Sequence, residues 1–386
     1  MMTALRPGQT VLIPRNAHRS TWGAAILADV QPVFYDCPWD PVMGVAQAPD
    51  PETVAAALQQ HPQASALWIT SPTYYGACAD LKFLVSLAHQ NDMVVLVDEA
   101  WGPHFAFHPQ LPDTALQAGA DLVVQSTHKL LSGLSQASML HVQGSRVDRV
   151  RLQQVLQILQ SSSPSCLLLA SLDVARQQMV DHGPELWSQA LQLAERARQE
   201  ICAIAGVHCY GSEMVGRPGV QALDLSRLVI GVSQLACSGY QADKFLRQKH
   251  GIQVELSDRF NLLALVTLGH RESHLDRLVE GLRELARAFP TAPSSRTKVA
   301  ARFQPTQKLS PRQAFDSPCE SVPLAGAEGK VSAEIVCPYP PGIPLVYPGE
   351  ILDAHLIAHL QSELAAGVTL QGSWDPQLQT IRVIKG

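Results

Sequence analysis

The chain predicts an α/β fold built on a mainly parallel sheet, and three observations lead there. The run from Asp121 to Gln125 has apolar residues at its centre, two of them adjacent valines, and Ser126, Thr127, His128 and Lys129 follow at once. Short apolar runs of this kind read as strands buried on both faces. A second run, Met93 to Asp98, has the same texture and ends in a carboxylate. Around both, apolar runs alternate with helix-like segments, the pattern of strands covered by helices on either side. A lysine and an aspartate at such strand ends lie where open α/β sheets place their ligands.

Taken in order, Thr10–Ile13 and Pro32–Tyr35 are short apolar runs flanking a helix-like segment from Ser20 to Val30, read with a serine or threonine cap. Between the first run and the helix stand Arg15, Asn16, Ala17 and His18; alone, His18 reads as a surface or helix-start histidine. Pro51–Leu58 has helical composition and leads to the run Ala66–Ile69. That run delivers a turn-rich loop, residues 70–76, which holds Thr73, Tyr74 and Tyr75. Residues 80–90 read as helix before the Asp98 run. After Lys129 come a strand-like stretch, Gln136–Val142, a helix-like one from Arg146 to Leu159, and a polar break at 161–165. From about 201 the texture changes to shorter strands: Gly219–Leu223, Gly251–Leu256 and Leu262–Thr267. Residues 290–311, rich in Pro, Ser and Thr, read as a linker.

Composition narrows the classes. A chain of 386 residues is too long for one compact core, so two or three domains are expected. Charged residues make up 16% and hydrophobic ones 46%, which favours a large core and a subunit interface. A net charge of −5 gives no reason to expect nucleic acid as a partner. The eight cysteines are scattered, none with C-x-x-C spacing, so neither a zinc site nor a disulfide framework is indicated. No apolar run is long enough to span a membrane, and the start lacks the long apolar region of a signal peptide. A soluble cytoplasmic protein with reduced thiols is the expectation.

A strand-end lysine and a strand-end aspartate suit pyridoxal phosphate, which needs an amine to bond its carbonyl carbon and a carboxylate to keep its ring nitrogen protonated. The blocks around them carry a family resemblance. Residues 97–105 (Val97 through Asp98, Glu99, Ala100, Trp101, His104 and Phe105), 107–112 and 119–129 resemble the ornithine/lysine/arginine decarboxylases of pyridoxal-phosphate fold type I. The resemblance continues in 14–20, 70–76, 170–175 and 338–344, so it covers nearly the whole chain. It implies a pyridoxal-phosphate-dependent transferase-like fold with a large domain over 1–200, in which a long connecting helix begins near Leu167. A smaller α+β domain over 201–295 and a C-terminal domain over 312–386 are implied to follow.

For the site, the resemblance implies that Lys129 bonds the cofactor, Asp98 meets the ring nitrogen and His18 stacks on the ring. Ser126 and His128 are the expected phosphate ligands, and Thr73, Ala100 and Trp101 are expected beside the ring. Two features depart from the family. Trp101 stands where many members have a histidine, so any proton-shuttling role there does not transfer; His104, three residues on, does match a second family histidine. The resemblance also begins after the point where members carry a Gly-Ser-Thr loop at a helix start that helps hold phosphate. Either the true start lies further upstream or the chain is a shortened homologue; if the chain as given is complete, weak cofactor binding is expected. The implied function is decarboxylation of a basic amino acid, arginine first, then lysine or ornithine, in polyamine or diamine metabolism, by a homodimer or larger homo-oligomer. The alternatives are another fold type I reaction, of aminotransferase or aldolase type, and a non-catalytic truncated homologue.

Overall fold

The computed structural model describes residues 1–291, 305–339, 342–365 and 367–385. Its main sheet has six strands in the order Gln31–Tyr35, Thr10–Pro14, Ala66–Thr70, Val94–Asp98, Leu122–Gln125, Met139–Val142. All neighbours are parallel except the last pair. Both faces are apolar: Leu12, Val95, Val97 and Val123 enter one core, while Val11, Ile13, Leu96 and Leu122 enter the other. That is why these strands read as continuous apolar runs rather than alternating ones. Each fully buried aliphatic side chain of this kind stabilises by about 1.5–3 kcal/mol.

The order reverses at the Thr10 strand. The chain leaves it through a helix to one edge of the sheet, then crosses back to Ala66 on its other side. A reversal of this kind opens a crevice at the carboxyl ends of the two strands. The segments that leave there are Arg15–His18 and Ser71–Thr73, with Asp98 one strand further on. The candidate site sits in that crevice.

The first helix, Ser20–Ala28, has no serine or threonine cap: Arg19 occupies the cap position without a side-chain bond. The Ser20 hydroxyl is engaged by His18 instead, Nδ1 to Oγ 2.8 Å. A helix of 37 residues, Cys166–Cys202, leads to a second, antiparallel sheet of His208–Tyr210, Arg227–Gly231, Asn261–Leu265 and Leu256–Ser257. The strand expected over Gly251–Leu256 is only Leu256–Ser257, because Gly251 (φ +61°) closes the preceding helix in the left-handed conformation. A third core forms around Val336, Leu352, Leu356 and Ile381. Of the linker expected over 290–311, residues 292–304 lie outside the described residues; just past them, Lys308 N–H donates to Gly349 O at 2.8 Å. No helix among the described residues is long and apolar enough to cross a membrane.

Candidate active site

Lys129 lies on a single helical turn, Thr127–Leu130, that starts directly after the buried Leu122–Gln125 strand. Its backbone N–H donates to Ser126 O at 3.1 Å. The ammonium is half-buried and stands 4.2 Å from the centroid of the Trp101 ring. A cation over an indole face stabilises by about 0.5–2 kcal/mol. Burial pulls the Lys129 pKa down; Asp98 and Glu255 push it up, and Arg227 pulls it down further. A lowered amine pKa favours the neutral, nucleophilic form.

Asp98 ends the next strand of the sheet and is 8% exposed. Its Oδ1 accepts the Ala100 N–H at 3.1 Å, a turn the short aspartate side chain makes with its own backbone. Burial raises its pKa, against the Ala100 N–H and the Lys129 charge. His18 closes the group. Its Nδ1 accepts from Ser20 N–H at 3.3 Å, so a neutral ring carries its proton on Nε2. Burial, then Lys129, then Arg19 push its pKa down to about 4, which keeps the ring neutral. Asp98, His18 and Trp101 thus all lie close enough to Lys129 to interact with it, although 28 to 111 residues separate them from it in sequence.

The remaining expected residues are placed as follows. Ser126 is half-buried and its hydroxyl caps no helix. His128 donates from Nδ1 to Ala137 O at 2.8 Å. Thr73 is buried, and its hydroxyl accepts Ala77 N–H at 3.2 Å within its own loop. Tyr74 meets Trp101 edge-on with centroids 6.0 Å apart. Ala100 contributes only backbone: its carbonyl accepts Ser126 N–H at 3.3 Å, joining the Asp98 turn to the Lys129 turn.

Arg227, which the sequence reading does not single out, organises the wall behind these groups. It is 1% exposed and donates to Asp224 Oδ2 (2.9 Å), Tyr74 O (2.6 Å), Thr73 O (3.2 Å) and Trp101 O (2.8 Å). One guanidinium therefore ties the second sheet to two loops of the first, and it also stands 5.0 Å from the Trp101 ring centroid. Asp224 is buried and ionised: burial works against its charge, but His104 and Arg227 hold its pKa well below the usual range. His104, fully buried against Trp187, lies 3.3 Å from Asp224 Oδ2 without hydrogen-bond alignment. Its surroundings are structural. Glu99, also unannounced by the sequence, is buried beneath the Lys129 strand and accepts from Ala115 N–H (2.7 Å) and Gln125 Nε2 (2.6 Å). Burial pushes its pKa up to about 7. The only sequence signal for Arg227 is a charge placed against the apolar run Leu228–Ile230.

The donor set fits pyridoxal phosphate. Among the described residues, Lys129 Nζ and Asp98 Oδ2 make no hydrogen bond, and both border the crevice with the neutral His18 ring. A cleft of about 540 Å³ opens from Lys129 and is lined by Glu255, Thr267, His270, His274 and Arg277. A larger share of apolar lining marks a second groove, about 220 Å³, between Leu27, Trp68, Leu140 and Leu159, but it holds none of these groups. No cluster of three or more His, Cys, Asp or Glu among the described residues is arranged to hold a metal.

The fold is that of the pyridoxal-phosphate-dependent proteins of fold type I. Comparison with a solved structure agrees: the lysine decarboxylase of Francisella novicida superposes over 100% of this chain and 67% of its own, with a TM-score of 0.82 at 21% identity. The chain belongs to the Orn/Lys/Arg decarboxylase family, whose major-domain model matches residues 1–227 and whose C-terminal-domain model matches 294–371. Arginine decarboxylase of Bacillus anthracis is 40% identical over 387 aligned residues, covering 100% of this chain and 78% of that protein. Arginine decarboxylase of Bacillus subtilis is likewise 40% identical, over 100% of this chain and 79% of its own length.

Proposed function

We propose that this chain is a pyridoxal-phosphate-dependent decarboxylase of a basic amino acid, arginine first, with lysine and ornithine next, serving polyamine or diamine synthesis. The observation that carries the reading is the convergence of Lys129, Asp98 and His18 at the carboxyl end of the parallel sheet, in a chain of this family. The 40% identity to arginine decarboxylases supports the substrate order. When bound, pyridoxal phosphate supplies the electron sink for the electrons left at Cα as CO2 departs.

The chain's own residues do the rest. Lys129 Nζ, held toward its neutral form by burial, would be the amine that holds the cofactor and the group placed to carry a proton at the reacting carbon. Asp98, with Oδ1 fixed by the Ala100 N–H, would leave Oδ2 for the ring nitrogen and keep a proton there. The flat, neutral His18 ring covers one face of the site, and Trp101, Thr73 and Tyr74 wall it. Ser126 and His128 supply phosphate donors. Among the described residues the Ser126 hydroxyl makes no hydrogen bond and that of Thr73 bonds only within its own loop, and His128 keeps Nε2 for a ligand. The cell compartment implied is the cytoplasm, supported by cysteines scattered along the chain with no C-x-x-C spacing. An assembly of identical chains is supported by exposed apolar side chains such as Leu140, Ile158 and Leu159 at and beside the apolar groove.

Glu255 is the residue we assign to the substrate's distal cation. It lies in the cleft that opens from Lys129, close enough for its charge to be felt there. A charge-assisted hydrogen bond contributes about 1.5–3 kcal/mol. Glu255→Gln should therefore raise KM for arginine about tenfold or more while leaving kcat within a few-fold, the pattern of a contact made equally in ground and transition states. An unchanged KM removes Glu255 from the substrate contacts. The reading as a whole is tested by product analysis with arginine. One amine and one CO2 per substrate, with no keto acid, are expected; formation of a keto acid would assign the chain to transamination instead.

A further inference from the structure

We infer that Gly342 positions the His18 ring, so that the C-terminal part of the chain builds one wall of the candidate site. The inference rests on the role proposed for His18. Gly342 has φ +94° and meets the ring directly: a Cβ there would lie 3.1 Å from His18 Cδ2 and 3.3 Å from Nε2. Its carbonyl accepts Arg19 N–H at 3.1 Å, and its own N–H donates to Pro338 O at 3.0 Å. The ring has little freedom to give way, since Ser20 holds Nδ1 through both its backbone N–H and its hydroxyl. Backbone on one edge and Ser20 on the other hold the imidazole between them.

The segment that carries Gly342 is anchored to the same loop. Arg15 pairs with the buried Glu350, donates to Leu345 O at 3.0 Å, and lies over the rings of Phe34 (5.1 Å) and Tyr347 (4.7 Å). Arg19 Nη1 donates to Gln371 Oε1 at 3.0 Å. Five contacts thus run from Arg15 and Arg19 to residues 342–371, and together they bracket His18. Glycine suits position 342 because the left-handed backbone and the close approach to the ring both disfavour a side chain there.

The test is a double-mutant cycle read by equilibrium titration with pyridoxal phosphate, on the full chain as wild type, Gly342→Ala, His18→Ala and the double variant. Gly342→Ala is expected to weaken cofactor binding about tenfold in the wild-type background and to cause no further loss once His18 is alanine. Gly326→Ala, where an added Cβ meets nothing within 4 Å, is the control and should bind as wild type does. Losses that add in the double variant overturn the inference, because backbone strain alone acts whether or not the ring is present. Absence of any loss in Gly342→Ala overturns it too. If His18→Ala itself binds normally, the role proposed for His18 fails and the inference with it, whereas additive losses leave that role standing. Should Gly342→Ala not fold, Glu350→Gln keeps the glycine and loosens its anchor. A loss in that variant which persists in the His18→Ala background overturns the inference equally.

Discussion

Lys129→Ala is expected to fold, to lose decarboxylation altogether, and to form no cofactor adduct that borohydride can reduce. The amine is the only group at this strand end able to bond a carbonyl carbon, and its lowered pKa is a consequence of burial that the sheet imposes. The substitution gives up one cation–π contact with Trp101, about 0.5–2 kcal/mol, but also removes a half-buried charge, so the melting temperature should change little. His18 supplies an independent readout. After burial, the Lys129 charge is the next influence holding its pKa down at about 4, and that influence disappears in the variant. An NMR titration should therefore find the His18 pKa higher in Lys129→Ala than in wild type. A reducible adduct in the variant, or a His18 titration that does not move, would place the cofactor lysine elsewhere.

Asp98→Asn should still bind cofactor, yet lose at least about a hundredfold in kcat, or roughly 3 kcal/mol of transition-state stabilisation at about 1.36 kcal/mol per decade. The amide preserves shape, and its oxygen still accepts the Ala100 N–H that orients the side chain. What it lacks is the negative charge that keeps a proton on a ring nitrogen. Structure and cofactor affinity thus act as controls within the same variant. Activity within about tenfold of wild type would show that Asp98 is not the ring partner.

Much of this site is legible in the sequence because it is built from strand ends. A buried parallel strand has to be apolar on both faces, so Met93–Val97 and Leu122–Val124 announce themselves, and the first polar residues after them must lie at the sheet's edge. Asp98, Ser126 and Lys129 fall there by arithmetic. His18 and Thr73 leave neighbouring strands of the same sheet by the same logic. The cap expected for the first helix fails for a local reason: the Ser20 hydroxyl has a better-placed partner in the His18 ring than in the helix's own amides.

The groups that only tertiary structure reveals are those whose partners are far away in the chain. Arg227 looks like an ordinary charge beside a strand until it is found bonded to three carbonyls and Asp224 in a space that excludes water. Glu255 is an exposed carboxylate in sequence terms, and only the fold brings it into one cleft with Lys129. Gly342 reads as turn punctuation, yet its lack of a side chain matters because the ring of a residue more than three hundred positions earlier occupies that space. By itself, then, the sequence determined the parallel α/β scaffold and placed Lys129 and Asp98 at strand ends, since burial and strand geometry are local demands on residue type; the family was legible in its motif blocks. The tertiary structure decided which distant cation, carboxylate and glycine complete the site, since those choices depend on contacts between segments that no local pattern records.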